Sequence, residues 1–207
     1  MLVELEGGTR VAGLKDGTPA REGDLLVWSH FESTLSLRVL ELHGSATLRN
    51  EDRDEVLFVL GEERSIYLPA DDELPLEGDM TMISALAPRH PATPILPLRF
   101  AQGQDDNRQR TGDRWYVELI QAEVTQFIGG IPPGRAPSHF HLYEEVICIL
   151  DGVGVMHAGA TSTPIAAGSC IFLPRKQRHC VENTGPGELR LLGVFYPAGS
   201  PAVRYPA

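Results

Sequence analysis

Residues 133–152, PGRAPSHFHLYEEVICILDG, and residues 168–183, GSCIFLPRKQRHCVEN, decide how this chain reads. His139 and His141 stand one residue apart, Glu145 follows four positions after His141, and His179 lies well downstream. The surrounding segments alternate apolar and polar side chains. In an extended strand, side chains at i and i+2 share a face, so His139 and His141 point one way and Phe140 the other. Neutral imidazole and carboxylate suit a divalent iron, manganese, nickel or zinc ion. His139, His141, Glu145 and His179 therefore form a ligand set for one such ion.

The spacing resembles that of the cupin family. The family's first motif runs Gly, five residues, His-x-His, three or four residues, Glu, six residues, Gly. His139, His141, Glu145 and Gly152 match it, and Pro133 stands at the place of the opening glycine. The second motif runs Gly, five residues, Pro-x-Gly, two residues, His, three residues, Asn. Gly168, Pro174, His179 and Asn183 keep that register, with Lys176 in the place of the middle glycine. The resemblance covers the second half of the chain and implies an all-β jelly-roll barrel around one metal ion. It does not imply one reaction, because dioxygenases, decarboxylases, isomerases, lyases and binding proteins share that fold.

The rest of the chain agrees with an all-β reading. Its 207 residues suffice for one large β domain or two small ones. The 21 glycines and 16 prolines are scattered, which suits many short strands and tight turns. A net charge of -10 argues against a nucleic-acid partner, since phosphate binding needs a concentrated basic surface. No stretch approaches the ~20 apolar residues of a membrane helix, and Met1 to Val11 lacks the pattern of a secretory leader. A cytoplasmic location is expected. Cys148, Cys170 and Cys180 lack zinc-finger spacing and are expected to be reduced packing residues.

The two halves resemble each other. DEVLFVLGE with Glu55 resembles EEVICILDG with Glu145, and SIYLP with Pro69 resembles CIFLP with Pro174. Counting from these anchors places Arg49, Glu51 and Leu74 where the second half has its histidines, so the first half is expected to bind no metal. The interval between anchors is also shorter there, which predicts a missing hairpin. The expected organisation is a degenerate barrel over residues 1–86, a linker over 87–112 and a metal-binding barrel over 113–207. Prolines from Pro88 to Pro97 keep the linker out of a central strand.

Arg175, Lys176 and Arg178 precede His179 on a turn and are expected to draw in an anionic substrate such as a carboxylate. Glu123, Gln126 and Arg190 are further wall residues within possible reach. Glu144 has the wrong strand parity for the site and is expected to face solvent, while His30, His43, His90 and His157 read as structural. The favoured function is a mononuclear metal enzyme, dioxygenase-like, acting on a small anionic organic molecule. The alternatives are a non-oxidative lyase, isomerase or decarboxylase, or a metal-dependent binding or sensing module. A homodimer is expected, because apolar outward positions such as Phe140, Val146, Cys148 and Leu150 need a cover.

Overall fold

The computed structural model describes residues 1–89, 99–102, 107–203 and 205–206. The strands of the first part are β1 (Val3–Glu4), β2 (Arg10–Gly13), β3 (Ala20–Glu22), β4 (Leu25–Phe31), β5 (Ser36–Arg49), β6 (Arg53–Val59), β7 (Arg64–Leu68), β8 (Glu73–Pro88) and β9 (Arg99–Gln102). Then come β10 (Gln109–Thr111), β11 (Arg114–Gln121), β12 (Thr125–Ile131), β13 (Gly134–Arg135) and β14 (His139–Phe140). The chain continues through β15 (Glu144–Asp151), β16 (Val153–Ala158), β17 (Thr161–Ala166), β18 (Ser169–Leu173), β19 (His179–Asn183), β20 (Leu189–Tyr196) and β21 (Tyr205–Pro206). The fold is all-β, of jelly-roll type. No helix among the described residues is long and apolar enough to cross a membrane.

The strands form three sheets. One runs β3-β4-β5-β8-β6-β7-β9, and another runs β10-β11-β12-β20-β15-β18-β2-β1. The third runs β17-β16-β19-β14-β21, with β13 beside β19. The order β4-β5-β8-β6-β7 of the first half recurs as β11-β12-β20-β15-β18 in the second. This carries the sequence repeat into topology: β6 pairs with β7 as β15 pairs with β18. Between β15 and β18 the second half inserts the β16–β17 hairpin, whereas β6 turns directly into β7. The N-terminal β2 pairs with β18, so residues 10–13 belong by hydrogen bonding to the second half's sheet. The described part of the 87–112 stretch holds two short edge strands, β9 and β10. Its residues 90–98 and 103–106, with His90 and most of the proline run, lie outside the described residues.

Strand parity explains the apolar runs. On β6, Val56 and Phe58 pack into the same cluster as Val146 and Cys148 of β15, which joins the two large sheets face to face. The intervening Leu57 and Val59 face a cluster inside the first half, and Ile147 and Ile149 face one inside the second. Both faces of these strands are buried, so their sequences are nearly continuous apolar runs. Val146 and Cys148 thus find their cover within the chain, and Phe140 stacks on Tyr205 at 5.3 Å. A homodimer is left to rest on the general frequency of symmetric pairs rather than on an uncovered face here. The three cysteines are free and buried.

The longest ribbon is β5 with β8, in continuous register from Ser36↔Leu86 to Arg49↔Glu73. Leu48, Leu74 and Leu76 at its far end share a cluster with Leu57 and Ile66, so the ribbon bends over its own sheet. Gly44 and Gly78 face each other in this register with φ of 123° and 103°, a region open to glycine and strained for other residues. A Cβ at Gly44 would also run into the Asp24 carboxylate.

Glu55 is fully buried and accepts from Arg38 Nη2 at 2.7 Å, from Asn50 Nδ2 at 2.7 Å and from the Ser84 hydroxyl. A guanidinium thus neutralises the carboxylate that corresponds to Glu145. Counting along the motif could not find Arg38, because it comes from β5, 17 residues away. Arg49 instead pairs with Glu73 at the surface, and Leu74 is buried in the inner cluster.

Removing one partner of a buried pair leaves the other charge uncompensated. Arg38→Met is expected to lower the unfolding free energy by about 3 kcal/mol in urea denaturation, and Arg38→Met/Glu55→Leu to recover most of it. A double variant no more stable than the single one would show that the pair does more than neutralise charge.

Candidate metal centre

The four expected ligands come from both sheets of the second half. In the β14–β19 register His139 lies directly opposite His179, and β15 places Glu145 opposite Leu173 and Phe195 in the larger sheet. His141 sits in the link between β14 and β15 and stacks on Tyr143, with ring centroids 4.8 Å apart and planes 14° apart. The Tyr143 hydroxyl donates to Ser200 O at 3.1 Å, which anchors that stack to the C-terminal segment.

These elements bring the side chains together. The nitrogen donors of His139, His141 and His179 lie within 4.8 Å of one another. Glu145 Oε2 is 3.6 Å from His141 Nε2 and 4.0 Å from His179 Nε2. Metal–ligand bonds of about 2.0–2.2 Å put ligands on opposite sides of an ion ~4 Å apart, so the cluster has the size of a site for one ion. Two of the three imidazoles are also oriented for this task. His139 Nδ1 lies 3.1 Å from Pro137 O and His179 Nδ1 2.8 Å from Gln177 O. A proton on each Nδ1 satisfies those carbonyls and leaves Nε2 as the lone-pair donor. Burial, with the nearby His139 as a smaller cause, lowers the His179 pKa to about 4. His179 is therefore neutral near pH 7, the form that binds a metal.

The cluster opens on a cavity of about 90 Å3. Its wall includes Thr111, Arg114, Tyr116, Phe127, Leu191 and Pro201 besides the four polar residues. Arg114, with its side chain 11% exposed, supplies the cation of this wall. In the sequence Arg114 closes a polar, charged run just before an apolar strand, with nothing to say which face it takes. Pro201 belongs to a segment tied down by Ala198 N to Glu123 O at 2.8 Å and Thr125 Oγ1 to Gly199 O at 2.8 Å.

Other candidates are placed elsewhere. Arg175, Lys176 and Arg178 are exposed on the turn between β18 and β19 and do not line the cavity. Gln126 is buried on the outward side of β12, beside Val194. Arg190 pairs with Glu63 at 2.8 Å, and Glu123 offers its backbone carbonyl to Ala198. Glu144 does not face solvent as strand parity suggested. It accepts from Ser33 Oγ at 3.1 Å and from Leu35 N at 2.8 Å, joining the halves. His30, His43 and His157 engage Leu14 O, Asp79 and Glu182 respectively.

Residues 127–195 match the family model for the Cupin domain. Over 67 residues the chain is 39% identical to the oxalate-binding protein of Thermotoga maritima, a match covering 31% of this chain and 55% of that one. It thus spans about half the length of that relative. The fold is similar to a Pseudomonas aeruginosa protein with the provisional name glyoxylate-induced protein, at TM-score 0.75 and 16% identity, over 97% of this chain and 93% of that one. It is also similar to oxalate decarboxylase from Bacillus subtilis, at TM-score 0.65 and 12% identity, over 92% and 77%. At such identities the two structural likenesses speak for the fold alone.

Lys176 takes the glycine place of the second motif with φ of 63°, and its backbone N–H donates to His141 O at 2.7 Å. A left-handed non-glycine residue costs about 1–2 kcal/mol, offset in part by the extra unfolded-state freedom of glycine. Lys176→Gly is expected to raise stability by up to about 1 kcal/mol, or ~2–4 °C in melting temperature for a chain of this size. A lowered melting temperature in calorimetry would mean that the lysine side chain stabilises the turn.

Proposed function

Because residues 127–195 are a cupin domain, we propose that this chain binds one divalent metal ion through His139, His141, Glu145 and His179 and takes a small carboxylate beside it. The observation that carries this reading is the convergence of those four side chains on one narrow cavity whose wall also holds Arg114. The donor set suits iron, manganese, nickel or zinc. When bound, the ion would polarise a carboxylate or enolate oxygen or acidify a water.

The chain's own residues supply the rest. His139 and His179 are held in the ligating tautomer by Pro137 and Gln177, so little reorganisation accompanies binding. Arg114 offers a planar fork that matches a carboxylate. Phe127, Leu191 and Phe195 exclude water around it, which strengthens that contact. Arg175, Lys176 and Arg178 have a smaller proposed part, the long-range attraction of an anion toward the second half.

Two reactions follow from one site. Dioxygenase chemistry rests on the ligand set alone. A non-oxidative reaction, or binding without turnover, is favoured by the identity to an oxalate-binding protein. An oxygen electrode separates them: turnover of a carboxylate with stoichiometric oxygen uptake supports the first, and turnover or binding unchanged under nitrogen supports the second.

Untagged protein is expected to carry one metal ion per chain and His141→Ala close to none, as read by elemental analysis. Arg114→Gln is expected to keep the metal while weakening oxalate binding roughly tenfold or more, the value of one lost charge-assisted contact. Two ions per chain, or full occupancy in His141→Ala, would remove the assignment.

Changing Arg175, Lys176 and Arg178 together to Gln is expected to leave the melting temperature nearly unchanged, since exposed charges contribute little stability. It should slow oxalate association at low salt and flatten its ionic-strength dependence, because such attraction is screened over ~10 Å at 0.1 M. An unchanged association rate at low salt would leave the turn without a part in capture.

A further inference from the structure

The N-terminal strands β1 and β2 belong to the second half by packing as well as by pairing. Leu5 and Val11 are buried with Ile147, Ile171, Leu173 and Val181, inside the barrel that carries the four expected ligands. Between them the Glu6–Gly8 turn, closed by Leu5 N to Thr9 O at 2.8 Å, lies against two turns of that barrel. One joins β16 to β17 at Gly159 and Ala160, and the other joins β18 to β19 over residues 174–178.

Glu6 holds the first of these turns through both its backbone and its side chain. Its N–H donates to Thr161 Oγ1 at 2.8 Å, and its Oε2 accepts from Ala160 N at 2.6 Å. The fit is close, since a Cβ on Gly159 would run into the Glu6 carboxylate. Gly159 passes the constraint on: its N–H donates to Arg178 O at 3.0 Å, and Gln177 Nε2 donates to the same carbonyl at 2.9 Å. Gly7 lies against the Gln177 side chain, where a Cβ on Gly7 would overlap Oε1. The segment thus held is the one that serves His179, because Gln177 O lies 2.8 Å from His179 Nδ1. An unbroken path of hydrogen bonds and covalent links therefore leads from Glu6 through Ala160, Gly159 and Arg178 to the carbonyl that sets the His179 tautomer.

We propose, on the reading of His179 as a metal ligand, that Glu6 is a positioning residue for the candidate metal centre. The Glu6–Gly8 turn acts as a strap that keeps Gln177 O on His179 Nδ1 and so keeps His179 Nε2 as a lone-pair donor. A neutral imidazole carries one proton, and the nitrogen that holds it is set by the hydrogen bond on offer. Once Gln177 O moves away, Nδ1–H loses its acceptor and the proton can sit on Nε2, the atom that would face the ion. The strap lies more than 100 residues before the ligands in the chain, so no motif spacing contains it.

The test uses the full chain with isotopically labelled imidazole nitrogens, read by NMR in the metal-free state near pH 7, with the His179 signals assigned through His179→Gln. The unaltered chain is expected to hold the His179 proton on Nδ1. Glu6→Ala is expected to add a population with the proton on Nε2 and to weaken zinc binding roughly threefold to tenfold, measured by competition with a chromophoric chelator. A partner that touches a ligand directly is worth ~10–100-fold, and Glu6 acts through an intervening turn. Glu6→Gln keeps an oxygen for Ala160 N and is expected to behave as the unaltered chain in both measurements. Arg38→Met lowers stability from the first half, off this path, and is expected to change neither. An unchanged His179 tautomer or an unchanged zinc affinity in Glu6→Ala overturns the proposal. So does a change of the same size in Glu6→Gln or in Arg38→Met. Should the unaltered chain bind no zinc, that result alone counts against the metal reading, and the tautomer of the metal-free protein still decides the strap.

Discussion

The structure depends on burying both faces of its central strands. A strand has side chains on two sides, and β6 and β15 use both: Val56, Phe58, Val146 and Cys148 bind the halves together, while Leu57, Val59, Ile147 and Ile149 fill the separate interiors. A slip of one residue would exchange the two sets and move Glu145 to the opposite face of its strand. Register is therefore held by apolar packing on two sides, and the polar site inherits that precision. His139 opposite His179, and Glu145 on the neighbouring sheet, meet because the strands that carry them cannot slide.

Within this frame the two halves solve one electrostatic problem differently. A buried carboxylate needs a counter-charge or hydrogen-bond donors to offset lost hydration. Glu55 obtains both inside the chain from Arg38, Asn50 and Ser84. Glu145 is instead surrounded by imidazoles, one of them held neutral by its burial, and that arrangement suits an external cation. The scaffold is repeated together with its buried carboxylate, and the residues around that carboxylate differ between the halves.

The segments around the candidate metal centre are tied to it largely through backbone groups. The β18–β19 turn reaches His141 O through the N–H of Lys176, and the C-terminal segment reaches the site through Tyr143 and Pro201. Glu144, next to the site's own carboxylate, holds the 33–35 turn of the first half. The site is thus supported from the turn, which bears on His141 and His179 directly, from the C-terminal segment through Tyr143, and from the other half through Glu144 beside Glu145.

Most of the second half's strands were legible in the sequence, because period-two patterns and turn residues act locally. The convergence of His139, His141, Glu145 and His179 was legible too, since residue spacing along the chain is read directly from the sequence. The β16–β17 hairpin and its absence from the first half followed from the anchor spacing. What the sequence could not contain was the long-range pairing. Arg38 neutralising Glu55, Arg114 in the cavity beside the three histidines, Glu144 bridging to Ser33 and β2 extending the second half's sheet all join residues from separate elements. Only the tertiary structure decided these, because strand parity names two faces but not the partner each one meets. That choice is made when the sheets pack and the apolar faces bury each other.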